Sequence, residues 1–313
     1  MSAETETKKE KKKIKLTLPE EEIMSPGHLA CQGCGASLAM RYALKALGRK
    51  TIVSIPACCW AVIDGPFPYS AAGIPVQQCA FETAASTASG VSHALSQLGQ
   101  EDVTALAWAG DGGTFDIGIQ ALSGAAERGD NIIYIVYDNE AYMNTGIQRS
   151  SATPHGAWTT TTPVKHYKKG RKKNIMEIMV AHYIPYCATA NIAYPEDFIK
   201  KLRKAKEMKG TKFFHLYTPC PTGWKHPPDI TIKIARLATE TNVFPIYEVT
   251  DGVYKINKKI KNPKPVSEYL KLQGRFHHLP DKEIKFIQSE VDKNWERLLK
   301  LEAVFGEEKK EKN

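Results

Sequence analysis

Residues 103–148 read VTALAWAGDGGTFDIGIQALSGAAERGDNIIYIVYDNEAYMNTGIQ, and this stretch decides the fold. An apolar run at 103–108 has the length of a buried strand, and a β-branched and aromatic run at 132–137 predicts a second strand. Apolar residues at helical spacing over 117–128 predict a helix between them. Strand, glycine-rich turn, helix and strand form a βαβ unit. The sequence therefore predicts an α/β fold with a parallel sheet and right-handed crossovers.

Two polar turns, at 110–113 and 138–146, follow these strands and are expected at the carboxyl edge of the sheet, where ligands bind. The glycines allow backbone N–H groups to approach a phosphate closely. Asp111 would repel a bare phosphate, so it indicates a bridging hard cation such as Mg²⁺, to which Asn139 could add a second oxygen. The alternative is a plain glycine-rich turn with a helix-capping aspartate. The spacing excludes the dinucleotide fingerprint, because the third glycine is misplaced.

The seven cysteines favour a metal or redox site over disulfides, because their number is odd and the chain is long. Cys31 and Cys34 form a Cys-x-x-Cys pair that could bind a metal or a cluster edge. A zinc ribbon would need a second such pair, which the sequence lacks. Cys58/Cys59 and Cys220 each follow a predicted strand and could complete the ligands. The remaining two, Cys79 and Cys187, are interpreted as small core residues.

Composition describes an ordinary globular chain of 313 residues, 42% hydrophobic and 25% charged. No apolar run has the length of a membrane span and no signal peptide is evident, so we expect a cytoplasmic protein without a membrane partner. The net charge is +9, and six lysines and three glutamates lie in residues 1–15. No aromatic residue alternates with those lysines, so we expect a solvated tail and no nucleic-acid partner.

Three regions follow from these patterns. Residues 1–22 are predicted to be a disordered basic tail, and residues 23–227 to form the α/β domain with the candidate metal sites. From residue 228 the composition changes, with helices predicted at 230–241 and 281–302 and an extended segment at 243–254. We expect residues 228–313 to form a C-terminal arm that packs on partner subunits.

The motifs together resemble the β subunit of pyruvate:ferredoxin oxidoreductases and, more broadly, of 2-oxoacid:ferredoxin oxidoreductases. The resemblance spans about residues 27–279. It rests on Cys31-x-Gly33-Cys34-Gly35, Gly110-Asp111-Gly112-Gly113-x-x-Asp116-Ile117-Gly118, Asp138-Asn139-Glu140-Ala141-Tyr142-Met143-Asn144-Thr145-Gly146-x-Gln148, Thr153-Pro154-x-Gly156-Ala157, Cys220-Pro221-Thr222-Gly223-Trp224 and Gln273-Gly274-Arg275-Phe276.

This resemblance implies a three-layer αβα fold that binds thiamine diphosphate. Asp111, Asn139 and the backbone carbonyl of Ala141 would hold Mg²⁺, and Asn144 would be the catalytic residue near the reacting carbon. The implied cofactor-binding residues are Gly110, Asp111, Gly112, Gly113, Asn139, Ala141, Tyr142, Asn144 and Thr145.

The resemblance also implies a [4Fe-4S] cluster on Cys31, Cys34, Cys59 and Cys220. Cys58 stands where the family usually has a glycine, so Cys58 remains an alternative to Cys59 as the third ligand.

The implied activity is oxidative decarboxylation of pyruvate, or the reverse synthesis, with coenzyme A and ferredoxin or flavodoxin. The implied partners are α-, γ- and δ-type subunits, one of which supplies the glutamate that activates the cofactor. The isolated chain is therefore expected to bind cofactor poorly. Departures from the family pattern at 60–65 and 71–77 leave another 2-oxoacid, or oxalate, as alternative substrates. The rival interpretations are half of a non-redox thiamine-diphosphate enzyme and a non-catalytic, zinc-bound scaffold subunit.

Overall fold

A computed structural model describes residues 18–306 and shows a single sheet of eight strands within that range. The strands are β1 (Thr51–Pro56), β2 (Val76–Cys79), β3 (Thr104–Gly110), β4 (Ile133–Asp138), β5 (Tyr186–Asn191), β6 (Lys212–Tyr217), β7 (Tyr247–Thr250) and β8 (Val253–Ile256). Their order is β2-β1-β3-β4-β6-β5-β7-β8. Strands β1 to β6 pair in parallel, which confirms the predicted parallel α/β sheet.

Helices cover both faces of this sheet. They are α1 (Gly35–Leu47), α2 (Cys59–Ile63), α3 (Ala84–Gln97), α4 (Ile119–Arg128), α5 (Ile175–Val180), α6 (Pro195–Lys206), α7 (Pro221–Trp224), α8 (Thr231–Glu240), α9 (Val266–Leu270) and α10 (Asp281–Phe305). The predicted helix at 117–128 is shorter than expected, because Gly113–Ile117 forms a π-helical turn before α4 begins. Short 3₁₀ turns occur at Val164–His166, Pro228–Ile230 and Gly274–Phe276.

The side chains of β3 point alternately to the two faces of the sheet, and each face is covered by a layer of helices. Leu106 and Trp108 point to the face covered by α1 and α6, whereas Ala105, Ala107 and Ala109 point to the face covered by α3 and α4. Successive side chains of a strand point to opposite faces, so a fully buried strand needs apolar residues at every position. The small alanines let α3 approach the sheet closely. The αβα arrangement is therefore confirmed.

The C-terminal region packs on the same chain's sheet. Strand β7 pairs with β5 and with β8, both antiparallel, so a hairpin extends the edge of the parallel sheet. Its turn is Asp251-Gly252, and both residues have positive φ, as this class of tight hairpin turn requires. In α10 only Leu298 is fully buried, and ion pairs such as Glu283 with His155 add to its attachment. The packing of this region on partner subunits stays a prediction, and most of the predicted tail lies outside the described residues.

Candidate functional site

Four neighbouring strands deliver the predicted site residues to one edge of the sheet. In the order β1, β3, β4 and β6, their carboxyl ends lead into Cys58/Cys59, Asp111, Asn139 and Cys220. The glycine-rich and asparagine-containing turns occupy the two central positions, and the cysteines come from the two outer strands. The topology thus brings together side chains that lie more than 100 residues apart in the sequence.

The glycine-rich turn after β3 is shaped by close contacts that a side chain would prevent. Gly118 N–H donates to Gly113 O at 2.8 Å, which closes the π-helical turn. A Cβ on Gly112 would collide with the ring of Tyr142, and a Cβ on Gly113 would lie 3.2 Å from Phe81. Tyr142 is fixed because its hydroxyl donates to Asp116 at 2.7 Å. This turn is therefore rigid, with its backbone covered on one side by aromatic rings.

Asp111, Asn139 and Ala141 meet as the sequence predicts. Asp111 is 1% exposed, and one end of the Asn139 amide lies 2.9 Å from Asp111 Oδ1 and 3.0 Å from Ala141 O. If that end is nitrogen, it donates to both acceptors; if it is oxygen, three oxygens converge and need a cation between them. Ser150 Oγ donates to the other carboxylate oxygen of Asp111 at 2.5 Å. Burial, followed by the nearby Asp138, raises the pKa of Asp111.

The other predicted cofactor residues lie on the rim of this site. Asn144 and Thr145 are exposed, and Thr145 Oγ1 donates to Gln148 at 2.5 Å. The loop is closed by Tyr142 N–H, which donates to Gln148 O at 2.9 Å. The Asn144 side chain is therefore presented toward the outside of this chain, on a loop whose base is fixed. Its catalytic role stays a prediction.

The Cys-x-x-Cys loop packs directly against the segment that carries Cys220. Gly35 N–H donates to Pro219 O at 3.2 Å, and a Cβ on Gly33 would lie only 2.5 Å from Pro228 O. Gly223 N–H points at Cys220 Sγ, 3.4 Å away. Backbone contacts thus hold the loop of Cys31 and Cys34 against the segment of Cys220.

Cys59 and Cys58 face different neighbours. Burial raises the pKa of the Cys59 thiol, and nearby Cys58, Cys220 and Cys34 raise it further, in that order. Burial likewise raises the pKa of Cys220 to about 11, with Cys34 and Cys31 as neighbouring charges. Cys58 instead lies against Gly110. A Cβ added to Gly110 would lie 3.7 Å from the Cβ of Cys58. The structure therefore brings Cys31, Cys34, Cys59 and Cys220 together.

No three His, Cys, Asp or Glu side chains within residues 18–306 form a group that could hold a metal ion by themselves. The group of Asp111, Asn139 and Ala141 is not counted among such groups, because it contains one carboxylate, one amide and one backbone carbonyl. The cysteines lie near one another without converging on a point. The remaining cysteines differ: Cys187 is buried, as predicted for a core residue, whereas Cys79 is only half-buried at the end of β2.

Asp138, the last residue of β4, is fully buried next to Asn139 and has charged partners of its own. It pairs with Lys172 and with His215, whose Nε2 lies 2.6 Å away. Burial alone would raise the pKa of Asp138, but Lys172 and His215 hold it at about 2. Burial is the main cause that lowers the pKa of His215.

A second buried ion pair lies in the same loop, and sequence reasoning missed it. Glu140, 4% exposed, binds Lys172 at 2.9 Å and Arg275 at 2.5 Å. Arg275 stacks on Trp224, with 3.8 Å from its Cζ to the ring centre. The only sequence signal for these residues is that they lie within the motifs quoted above.

A cavity of about 450 Å³ lies between α10 and the sheet. Glu140, Lys172 and His215 line one part of it, and Phe286 and Leu298 line another. Neither the cysteines nor the glycine-rich turn contributes to its wall.

No helix within residues 18–306 is long and apolar enough to cross a membrane.

Comparisons with known proteins agree with this geometry. Residues 75–216 match the family model of the thiamine pyrophosphate enzyme C-terminal TPP-binding domain, and this range contains both central turns. The chain is 55% identical to the ketoisovalerate oxidoreductase subunit VorB of Pyrococcus abyssi, over 94% of this chain and 98% of that protein. It is 52% identical to the pyruvate synthase subunit PorB of Methanothermobacter thermautotrophicus, over 88% of this chain and 97% of that protein.

A solved structure shares the fold. The 2-oxoglutarate:ferredoxin oxidoreductase from Magnetococcus marinus superposes with a TM-score of 0.55 at 19% identity, covering 72% of this chain and 82% of that one. With these relatives, the resemblance stated from the motifs is confirmed. The chain belongs to the family of β subunits of 2-oxoacid:ferredoxin oxidoreductases.

Proposed function

We propose that this chain binds thiamine diphosphate through Mg²⁺ and carries a [4Fe-4S] cluster, and that its complex oxidatively decarboxylates a 2-oxoacid. The electrons would pass to ferredoxin or flavodoxin and the acyl group to coenzyme A. Thiamine diphosphate, when bound, supplies the electron sink for decarboxylation. The residues of this chain would hold that cofactor and the electron acceptor side by side.

The observation that carries the proposal is the spacing around Asn139. In an octahedral Mg²⁺ site with ligands at about 2.0–2.1 Å, adjacent oxygens lie about 2.9 Å apart. The separations of 2.9 and 3.0 Å from the Asn139 amide to Asp111 and Ala141 match that edge. With its amide oxygen facing inward, Asn139 would hold Mg²⁺ together with Asp111 and the Ala141 carbonyl. Ser150 would hold the outer oxygen of Asp111, as residues behind metal ligands commonly do.

The backbone of residues 110–113 would cradle the diphosphate, and Tyr142, Asn144 and Thr145 would line its rim. Asn144 is proposed as the catalytic residue because it is exposed on the loop that leaves the metal site. A partner subunit would close this open edge. For that reason the α-, γ- and δ-type subunits are proposed as partners, and the isolated chain is expected to bind cofactor weakly.

The proposed cluster ligands are Cys31, Cys34, Cys59 and Cys220. The contacts between their segments support this choice: Gly35 N–H donates to Pro219 O at 3.2 Å, and Trp60 Nε1 donates to Ala36 O at 3.1 Å. A [4Fe-4S] cluster takes four thiolates. Each binds a different iron, so they do not need to converge on one ion as zinc ligands do. The Gly223 N–H directed at Cys220 Sγ would stabilise a thiolate there. Such a cluster requires reduced thiols, which fits a cytoplasmic location.

Two substrates deserve a direct test. The motifs resemble pyruvate:ferredoxin oxidoreductases, whereas a relative at 55% identity is named for ketoisovalerate. Anaerobic purification of the native complex, followed by iron and thiamine analysis and assay with pyruvate, 2-ketoisovalerate, 2-oxoglutarate and oxalate, separates the possibilities. We expect iron, thiamine and 2-oxoacid-dependent ferredoxin reduction with pyruvate or 2-ketoisovalerate. Zinc without iron would favour the scaffold interpretation, and thiamine without iron would favour a non-redox enzyme.

A further inference from the structure

Arg275, in the C-terminal region, is nearly fully buried and contacts the loops of both proposed cofactors. Its side chain is 2% exposed and binds Glu140 at 2.5 Å. Gln273 Oε1 accepts from Arg275 Nε at 3.0 Å and from Nη2 at 2.8 Å. A buried guanidinium with both a carboxylate and an amide partner is held in one orientation.

Glu140 stands between the two residues that face the proposed metal, Asn139 and Ala141. Its φ is +67°, a conformation that non-glycine residues rarely adopt without fixed surroundings. Thr153 Oγ1 donates to Glu140 O at 2.7 Å, and Glu140 N–H donates to Asp138 at 2.9 Å. The ion pair with Arg275 and these two hydrogen bonds therefore hold the strained residue that precedes Ala141, whose carbonyl oxygen lies 3.0 Å from the Asn139 amide.

Trp224 connects the same arginine to the cluster side. It ends α7, the short helix that begins next to Cys220, and its Nε1 donates to Asn139 O at 2.7 Å. The Arg275 guanidinium lies on its ring, 3.8 Å from the centre. Residues 138–146 form what we call the metal-facing loop. Met143 in this loop packs on Gly223 so closely that a Cβ added to Gly223 would collide with the Met143 sulfur. The two loops are thus joined at several points, with Arg275 against both.

We propose that Glu140, Arg275 and Trp224 form a positioning unit that fixes the metal-facing loop and the Cys220 loop relative to each other. Arg275 acts through its neighbours and touches neither cofactor. This inference rests on the proposed function. It predicts that one substitution outside both sites changes both of them together.

The test uses the assembled complex, purified without oxygen, with Arg275→Met as the main variant. We expect its affinity for Mg²⁺ with thiamine diphosphate to fall by about tenfold or more, as for other residues that support metal ligands. The electron paramagnetic resonance spectrum and reduction potential of the Cys220 cluster should change in the same variant. Arg275→Lys keeps the charge but loses the stacking plane, so it should recover part of the Mg²⁺ affinity and little of the cluster signal.

Lys201→Met is the matched control, because Lys201 is 3% exposed and bonds to Asp197 and Thr189 O, which belong to neither loop. It should leave both readouts unchanged. If Arg275→Met fails to assemble, Glu140→Gln, which keeps the size and one acceptor, tests the same unit. A folded variant in which neither readout moves, or only one does, overturns the inference. Wild-type complex without iron or thiamine would instead overturn the proposed function.

Discussion

At the scale of single residues, Asp111 is the side chain for which the proposed metal site makes the most direct prediction. Its carboxylate is buried beside the Asn139 amide and the Ala141 carbonyl, and burial raises its pKa. Asp111→Asn removes that charge without changing its size. We expect the cofactor-free chain to melt at the same or a slightly higher temperature.

The same variant should lose at least tenfold in Mg²⁺-dependent affinity for thiamine diphosphate, measured by calorimetric titration. Asp197→Asn, on α6, is the control and should bind as wild type does. Unchanged affinity in Asp111→Asn would exclude the proposed metal site.

The two adjacent cysteines give a second prediction at this scale. Cys59→Ser should abolish or strongly alter the cluster signal, because Cys59 faces Cys34 and Cys220. Cys58→Ser should retain it, because Cys58 lies against Gly110 at the end of β3. Electron paramagnetic resonance of the reduced complex distinguishes them, and the opposite result would make Cys58 the ligand.

Sequence reasoning reached some of these residues and missed others for a physical reason. Asp111 and Asn139 could be predicted to meet, because both follow strands whose carboxyl ends share one edge. Ser150 and Arg275 could not, since each arrives from a loop distant in the sequence. The pair of Glu140 and Arg275 spans 135 positions and has no local pattern.

At the scale of elements, the π-helical turn at Gly113–Ile117 depends on the absence of a side chain at Gly112. Gly112→Ala would push the Tyr142 ring away and break its 2.7 Å hydrogen bond to Asp116. We expect a loss of about 1–3 kcal/mol in the free energy of unfolding, together with weaker thiamine diphosphate binding.

Gly90→Ala is the matched control for this element. Gly90 lies within α3, and a Cβ there would meet nothing within 4 Å. A helical glycine with open space should gain about 0.5–1 kcal/mol when replaced by alanine. Thermal unfolding of both variants checks the pair, and equal effects would contradict the assigned role of the turn.

The spacing of apolar residues was enough to predict some of the helices and strands. The apolar run at 103–108 and the helical spacing after residue 117 predicted β3 and α4 to within a few residues. The turn between them was predicted only as glycine-rich, because a π turn depends on hydrogen bonds that no periodicity records. Residues 243–254, predicted simply as extended, form the β7–β8 hairpin around Asp251-Gly252.

At the scale of the whole molecule, Lys212 makes stability depend on pH. Its Nζ donates to Asn131 at 2.7 Å and to Met208 O at 3.0 Å, and burial, with nearby Lys209, lowers its pKa to about 7. In the unfolded chain the pKa is near ~10.4. The unfolded state therefore binds more protons between these values, and this contribution to stability rises with pH across that window.

Lowering the pKa of Lys212 by about three units costs roughly 4 kcal/mol at ~1.4 kcal/mol per unit. Lys212→Met removes that cost but also loses two hydrogen bonds worth about 1 kcal/mol each, so at pH 6 it should be more stable than wild type by on the order of 2 kcal/mol. The advantage should shrink as the pH approaches 10. Melting temperatures of both proteins across pH 6–10 measure it, with the exposed Lys200→Met as control. A difference that stays constant with pH would contradict the assignment to Lys212.

The C-terminal region shows the limit of sequence reasoning at this scale. The change in composition after residue 228 predicted an arm, and the structure places β7 and β8 in the same sheet as the site. Arg275, in the same region, pairs with Glu140 in the loop after β4. The packing of residues 228–313 on partner subunits stays a prediction, because contacts within one chain do not report on contacts with another.

The central claim is that one edge of the sheet holds the metal-bound cofactor beside the cluster. Mn²⁺ accepts the same oxygen ligands as Mg²⁺ and is paramagnetic, so it reports its distance from a reduced cluster. In the Mn²⁺-loaded complex with thiamine diphosphate, we predict that reducing the complex broadens the Mn²⁺ resonance, and that Cys59→Ser removes this broadening. A Mn²⁺ resonance that is insensitive to reduction, or equally broadened in Cys59→Ser, would contradict the account.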